Sequence, residues 1–200
     1  MDTFIHHARG HSARIAELQE ERESYGRLAA GQSPLALFIT CSDSRVIPSQ
    51  ITGARPGELF ELRTAGNAVP RYSDGGPAGA EAATIEYAMR VLNVADIVVC
   101  GHSHCGAVGA RARGDDLTGV PDVQDWLDRQ LSEELPDDEE PAVRSAVRRH
   151  VYEQLGRLRE YPSVRERLES GEVALHGWFY EVHTGQVTVH DPATDSFRPL

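Results

Sequence analysis

Along the first part of the chain, mostly apolar residues recur at steps of three and four: Phe4, Ala8, His11, Ile15, Leu18, Tyr25 and Leu28, with a gap at Arg22. Charged residues such as Glu20-Glu21-Arg22-Glu23 fill the intervening positions. This spacing predicts an amphipathic helix over residues 2 to about 30. Such a helix either lies on its own domain or reaches onto a second subunit as an arm.

A different pattern follows. Gln32-Ser33-Pro34 precedes the apolar run Leu35-Ala36-Leu37-Phe38-Ile39-Thr40-Cys41, which is short and apolar on both faces. It reads as a buried strand of a parallel sheet. Leu59 to Arg63 and Asp96 to Cys100 are further strands, the latter as apolar as the first. Between them, Ile85, Ala88, Met89 and Leu92 place one face on a helix over Glu81 to Leu92. Pro121 to Leu131 and Pro141 to Arg159 are helices that carry Pro at a first position. Val173 to Val182 and Gln186 to His190 flank His183-Thr184-Gly185 and predict an antiparallel finish. Strands alternating with helices predict an α/β fold around a mostly parallel sheet.

Composition narrows the class. A chain of 200 residues, 40% hydrophobic, with 18 Gly and 11 Pro, is one globular domain or a domain with an arm. The longest uninterrupted apolar run, Leu35 to Ile39, is five residues, against the roughly 20 a membrane helix needs. With no signal-peptide pattern at the start, the expected location is cytoplasmic.

All 20 basic residues are Arg, against 31 acids, for a net charge of −11. The stretch Asp115 to Glu140 holds 11 acids and one Arg, and six acids crowd residues 133 to 140. A nucleic-acid or anionic-lipid binder needs a basic face, and the chain has no basic run. Three cysteines make no disulfide framework in a reducing compartment. Cys41, Cys100 and Cys105 therefore read as core residues, metal ligands or nucleophiles.

Two segments carry chemistry, both at the carboxyl ends of apolar strands: Cys41-Ser42-Asp43-Ser44-Arg45 and Gly101-His102-Ser103-His104-Cys105-Gly106. Ligands in open α/β sheets sit beyond these ends, where the strand order reverses. If the two strands are neighbours, Cys41, His102 and Cys105 bring together two sulfurs and a nitrogen. That set suits zinc and leaves a tetrahedral position for water or Asp43. Cys100, inside its strand, reads as core, and His104 takes no role.

These segments resemble the β-class carbonic anhydrases. Besides the two motifs, Arg63-Thr64-Ala65-Gly66-Asn67, Ile85-Glu86-Tyr87-Ala88 and Leu175-His176-Gly177-Trp178-Phe179-Tyr180 fall in the family's order, and the likeness spans roughly residues 25 to 190. Thr64 departs from the family's usual Asn. The resemblance implies one Zn2+ per chain on Cys41, His102 and Cys105, with Asp43 and Arg45 as a catalytic dyad. It implies a parallel sheet of order 2-1-3-4 with an antiparallel edge strand, and a homodimer or higher even oligomer. An N-terminal arm, residues 1–30, would pack on a second subunit, and residues 31–200 would form the enzyme domain. The implied activity is reversible hydration of carbon dioxide to bicarbonate by zinc-hydroxide attack. A substrate pocket of Gln32, Phe60, Ala65, Tyr87 and Gly106 matches the plant-like branch. In other branch members a Trp three residues before the first Cys builds a bicarbonate pocket with an Arg and a Tyr. Phe38 stands at that position here, so Arg63 and Tyr180 are expected to turn to structural contacts, and Asp43 to stay off the metal. Two rival readings are a zinc-stabilised binding module with Asp43 as permanent fourth ligand, and a thiol redox protein using Cys41 and Cys105.

Overall fold

The computed structural model describes residues 1–73, 79–131 and 140–200, with the side chains of 140–142 not described. Most of the acidic run 133–140 therefore lies outside the described residues. Six strands form one sheet in the order β2-β1-β3-β4-β5-β6. They are β1 Ala36–Cys41, β2 Leu59–Thr64, β3 Asp96–His102, β4 Ala174–Tyr180, β5 Val187–Asp191 and β6 Ser196–Pro199. The first four are parallel, in the expected order 2-1-3-4, and β5 and β6 add antiparallel pairs. The sequence reading anticipated one antiparallel edge strand; β6 is a second. Its four residues, Ser-Phe-Arg-Pro, carry one large apolar side chain, Phe197, too little for a periodic signal.

The described residues include eight α-helices: α1 Asp2–Glu17, α2 Gln19–Leu28, α3 Pro48–Thr52, α4 Ala80–Arg90, α5 Gly106–Arg113, α6 Pro121–Gln130, α7 Glu140–Leu158 and α8 Pro162–Glu169. Every residue of β1 is buried, as its two-faced apolar run requires. On one side Leu37, Ile39, Ile97 and Val99 pack with Ile85 and Met89 of α4 and with Val151 and Leu155 of α7. The helix α7 presses closely on β3. A Cβ on Gly101 would lie 2.6 Å from Val147 Cγ1 and 2.7 Å from Val151 Cγ2. Only glycine fits there, and the close approach fixes the height of the β3 tip.

The N-terminal periodicity resolves into two helices rather than one. Leu18 takes an extended conformation (φ −108°, ψ 122°) that interrupts the helix. The His11 and Tyr25 rings then meet edge-on at 6.0 Å. Neither helix has a buried residue; Phe4 is 74% and Leu18 60% exposed. Of the apolar stripe, Tyr25 and Leu28 are half-buried and Leu28 reaches Gly57, while Phe4 and Leu18 stay exposed.

Candidate metal centre and active site

Cys41 is the last residue of β1 and His102 the last of β3. The register of these neighbours runs from Ala36↔Asp96 to Thr40↔Cys100. Continued by one step, it sets Cys41 level with the tip of β3. Beyond His102 the chain turns through His104, whose positive φ of 55° is uncommon for a side-chain-bearing residue. The turn delivers Cys105 to the N-cap of α5. One sulfur from Cys41, one from Cys105 and a His102 nitrogen thus lie within 4.8 Å of one another, all on buried residues.

The imidazole is set for a ligand. His102 is fully buried, and its Nδ1 lies 2.9 Å from the Ser103 carbonyl oxygen. Nδ1–H donating there leaves the Nε2 lone pair facing the two thiols, the arrangement in which a carbonyl fixes the tautomer and ring orientation of a metal-binding histidine. Nε2 is buried with no hydrogen-bond partner. Leaving such a group unsatisfied costs about 1–3 kcal/mol, a cost that a metal ion removes. The Cys41 thiol is lowered to about 4 through its contact with Cys105, against opposing burial and with further help from His102. Cys105 is pushed up by the same contact and by burial. The pair shares one proton, and a thiolate is already favoured where a soft cation would bind. Two thiolates and an imidazole are a donor set that fits zinc.

Asp43 stands over this group without joining it. Its Oδ2 lies 3.9 Å from His102 Nε2. Arg45 Nε donates to Oδ1 at 2.9 Å and Nη2 to Oδ2 at 2.7 Å, while the Arg45 backbone N–H also reaches Oδ1 at 2.9 Å. Both oxygens are engaged by this fork, and the guanidinium holds the carboxyl well below the usual carboxylate range. Arg45 Nη2 also donates to the His104 carbonyl at 3.0 Å, which ties the two strand tips together.

Arg63 takes structural contacts, as Phe38 at the Trp position led us to expect. Its guanidinium donates to the carbonyls of Cys41 (2.9 Å), Asp43 (2.9 Å) and Val46 (2.7 Å), wrapping the loop after β1. Phe38 is fully buried edge-on to Trp178, with ring centroids 5.8 Å apart. Tyr180 packs against the same Phe38–Cys100 cluster. Cys100 is buried, and burial pushes its thiol up to about 12.

The residues expected to form the substrate pocket fall into two sets. Ala65 follows the tip of β2 and Gly106 opens α5, so both flank the triad. Gln32, Phe60 and Tyr87 are not gathered with it in one chain. Gln32 is exposed and precedes the amino end of β1. Phe60 lies four residues below the tip of β2, about 13 Å at strand rise. Tyr87, 44% exposed, stacks on Phe60 at 5.8 Å.

A buried polar column on α7 escaped the sequence reading. His150 Nε2–H donates to the Gly66 carbonyl at 2.8 Å, and Gln154 Nε2 lies 3.2 Å from His150 Nδ1. Gln154 Oε1 accepts from the Val69 N–H at 2.8 Å, and Arg157 Nη1 donates to the Val69 carbonyl at 2.9 Å. These side chains brace the 66–69 segment behind the triad. The spacing 150, 154, 157 on one helical face was the available signal, but polar residues at core positions read as surface.

Burial lowers the His150 pKa to about 4, and the nearby Arg157 charge adds to this. Between the unfolded value of 6.5 and about 4, the unfolded chain binds a proton that the folded chain refuses. Stability is therefore complete above that window and falls as pH drops through it, by up to about 3 kcal/mol. Urea unfolding at successive pH values across the window should show this slope in the native protein, and a shallower one in His150→Gln. Equal slopes would remove His150 as its source.

Comparison with known proteins agrees with this geometry. The sequence profile of the carbonic anhydrase family matches residues 36–187. A carbonic anhydrase from Pseudomonas aeruginosa is 46% identical over 179 residues, 86% of this chain and 80% of that protein. The chain belongs to the β-carbonic anhydrase family. Carbonic anhydrase 1 of Escherichia coli O157:H7 is 44% identical over 182 residues, 88% of this chain and 82% of its own. Among solved structures, the β-carbonic anhydrase CcaA superposes with a TM-score of 0.90 at 35% identity, covering 100% of this chain and 99% of that one. One of two tetrameric β-carbonic anhydrases from Sordaria macrospora superposes at 0.79 with 29% identity, covering 94% and 97%. This carbonic anhydrase accordingly hydrates carbon dioxide reversibly as a zinc enzyme.

Proposed function

We propose that Cys41, His102 and Cys105 hold the zinc ion, one per chain, and that Asp43 and Arg45 are the dyad that aims the nucleophile. The orphaned Nε2 of His102 between two thiols supports this reading most directly. Zinc held by these residues would lower the pKa of a water toward ~7 and so would supply hydroxide at neutral pH. Asp43, kept ionised by Arg45, accepts the nucleophile's O–H and leaves a lone pair facing the carbon of CO2. Arg45 also keeps the carboxylate turned from the metal, since both its oxygens accept from the guanidinium. Bicarbonate leaves, and the proton passes to buffer.

The enzyme reads as the plant-like, open-site form. Arg63 is spent on three carbonyls and Phe38 brings no N–H, so no bicarbonate-holding pocket competes for the dyad. Gln32, Phe60 and Tyr87 then complete the pocket of a second copy, about a strand length from their own triad. The exposed stripe of α1 and α2, the arm of residues 1–30, packs on that copy, and the domain of residues 31–200 carries the chemistry. The tetrameric relatives support a homodimer or higher even oligomer. The three cysteines are free, as is usual where thiols are kept reduced, and we place the enzyme in the cytoplasm; among the described residues no helix is long and apolar enough to cross a membrane.

X-ray absorption at the zinc edge tests the resting site. Near neutral pH two sulfurs, one imidazole and one light atom are expected, and the light-atom shell should change when a small inhibitory anion is added. A shell indifferent to anions in the native protein, and altered only by Asp43→Asn, would place Asp43 on the metal and end the open-site reading.

A further inference from the structure

A second cluster of metal-ligating side chains lies beside the first and is used by nothing described above. His104, Glu181 and His183 offer donor atoms that all lie within 4.8 Å of one another. His104 comes from the turn after β3, and Glu181 and His183 from the β4–β5 turn. We infer that these three residues form a second site for a divalent transition-metal ion, chemically distinct from the Cys41 centre.

The carboxylate is the anchor. Glu181 is only 8% exposed, and its Oε1 is buried with no hydrogen-bond partner. The other oxygen, Oε2, pairs with Arg144 Nη2 at 3.1 Å, which orients the carboxylate and leaves Oε1 toward the imidazoles. His183 Nδ1 sits 3.4 Å from Oε1. Two donors about 2.1 Å from one tetrahedral ion are separated by roughly 3.4 Å, so this pair already has the spacing of a shared ligand set. The His104 and His183 rings stand edge-on at 6.0 Å, both on the exposed side of the carboxylate. The His104 donor lies within 4.8 Å of the other two, on an exposed residue.

The backbone under the cluster is prearranged. Ser103 N–H donates to the Tyr180 carbonyl at 2.9 Å, and Ser103 Oγ accepts from the Val182 N–H at 2.9 Å. Glu181 N–H donates to the Gln186 carbonyl and Gly185 N–H to the Glu181 carbonyl, each at 2.8 Å. Gly185 supplies the positive φ of 75° that closes the turn. The two loops are thus pinned together before any ion arrives, and the ion need order only side-chain rotamers.

Two imidazoles and a carboxylate select borderline ions such as zinc, nickel and copper rather than calcium or magnesium. The same set lacks the thiolates of the first centre, so zinc fills the Cys41 site first and this one at higher free concentration. A plain ion pair between His183 and Glu181 is the competing account of the contact, and it requires no metal.

Equilibrium dialysis of the zinc-loaded full chain against rising free zinc, just above neutral pH where imidazole is mostly neutral, separates the two. A second equivalent per chain is expected. It should be lost in Glu181→Gln and in the exposed-site variant His183→Ala, while each keeps the first equivalent. A variant with His6, His7 and His11 all changed to Ala should keep both, since those histidines lie on α1. A single equivalent throughout, or a second one that survives His183→Ala or vanishes with the α1 histidines, would overturn the assignment. Because His183 is exposed and donates to no carbonyl in the core, its replacement tests the site even if Glu181→Gln fails to fold.

Discussion

Cys105→Ser is expected to yield protein with little or no zinc and carbon dioxide hydration at background, a loss of at least ~10³-fold against typical enzymatic acceleration. A serine hydroxyl stays neutral at pH 7 and is a poor ligand beside a thiolate. The substitution would also leave the buried, unpartnered His102 Nε2 without the metal proposed to bind it. Metal binding is in part folding free energy, so the variant should melt lower than the native enzyme, and added zinc should restore little. Cys100→Ser is the matched control. That side chain is fully buried, its thiol is held protonated, and it lies two residues before the β3 tip, packed with Phe38 and Val98. It should cost some packing and keep both zinc and turnover. Metal analysis with stopped-flow hydration decides both; full zinc occupancy in Cys105→Ser would mean that the ligand is misassigned.

Arg45→Ala should separate metal from catalysis. The Arg45 side chain bonds Asp43 and the His104 carbonyl rather than the side chain of any proposed ligand, so zinc content should stay near one per chain. Asp43, however, loses the two hydrogen bonds from the Arg45 guanidinium, at 2.9 and 2.7 Å, and the constraint they impose; the backbone N–H bond at 2.9 Å alone remains. Its carboxylate is then free to turn toward the cation, and its own pKa rises with the guanidinium gone. Misplacing a positioned group by about an ångström costs ~10²-fold, and a fall of that size in kcat/KM is expected. Arg45→Lys should recover part of it, since an ammonium keeps the charge but not the fork. Wild-type turnover with zinc bound in Arg45→Ala would contradict the role given to the dyad.

Much of the sheet was legible because burial on both faces leaves little choice of residue. Leu35 to Cys41 and Asp96 to Cys100 are apolar without alternation, and their ends carry the only segments dense in thiol, imidazole, carboxylate and guanidinium groups. Neighbouring strands then bring Cys41, His102 and Cys105 together. Other features follow from contacts that no local pattern announces. The break at Leu18 lies within a period that continues on both sides of it. His150, Gln154 and Arg157 sit at core positions because backbone groups of residues 66 and 69 need partners. The spacing of Gln32, Phe60 and Tyr87 to the motifs marks them as pocket residues by resemblance, yet the fold carries them to the far end of the strands. In the proposed assembly of copies, which one sequence does not encode as a period, they would meet the triad of a second chain.

In the proposed mechanism turnover requires zinc held by Cys41, His102 and Cys105. Stopped-flow hydration of carbon dioxide by the native enzyme, before chelation, after it and after zinc is returned, tests this most directly, with zinc counted at each stage. Activity should track zinc at one ion per chain, vanish with it and return with it. Chelated protein that turns over at the native rate, as a thiol redox protein would retain its activity, or zinc-loaded protein that never exceeds background, as a binding module would behave, would contradict the account.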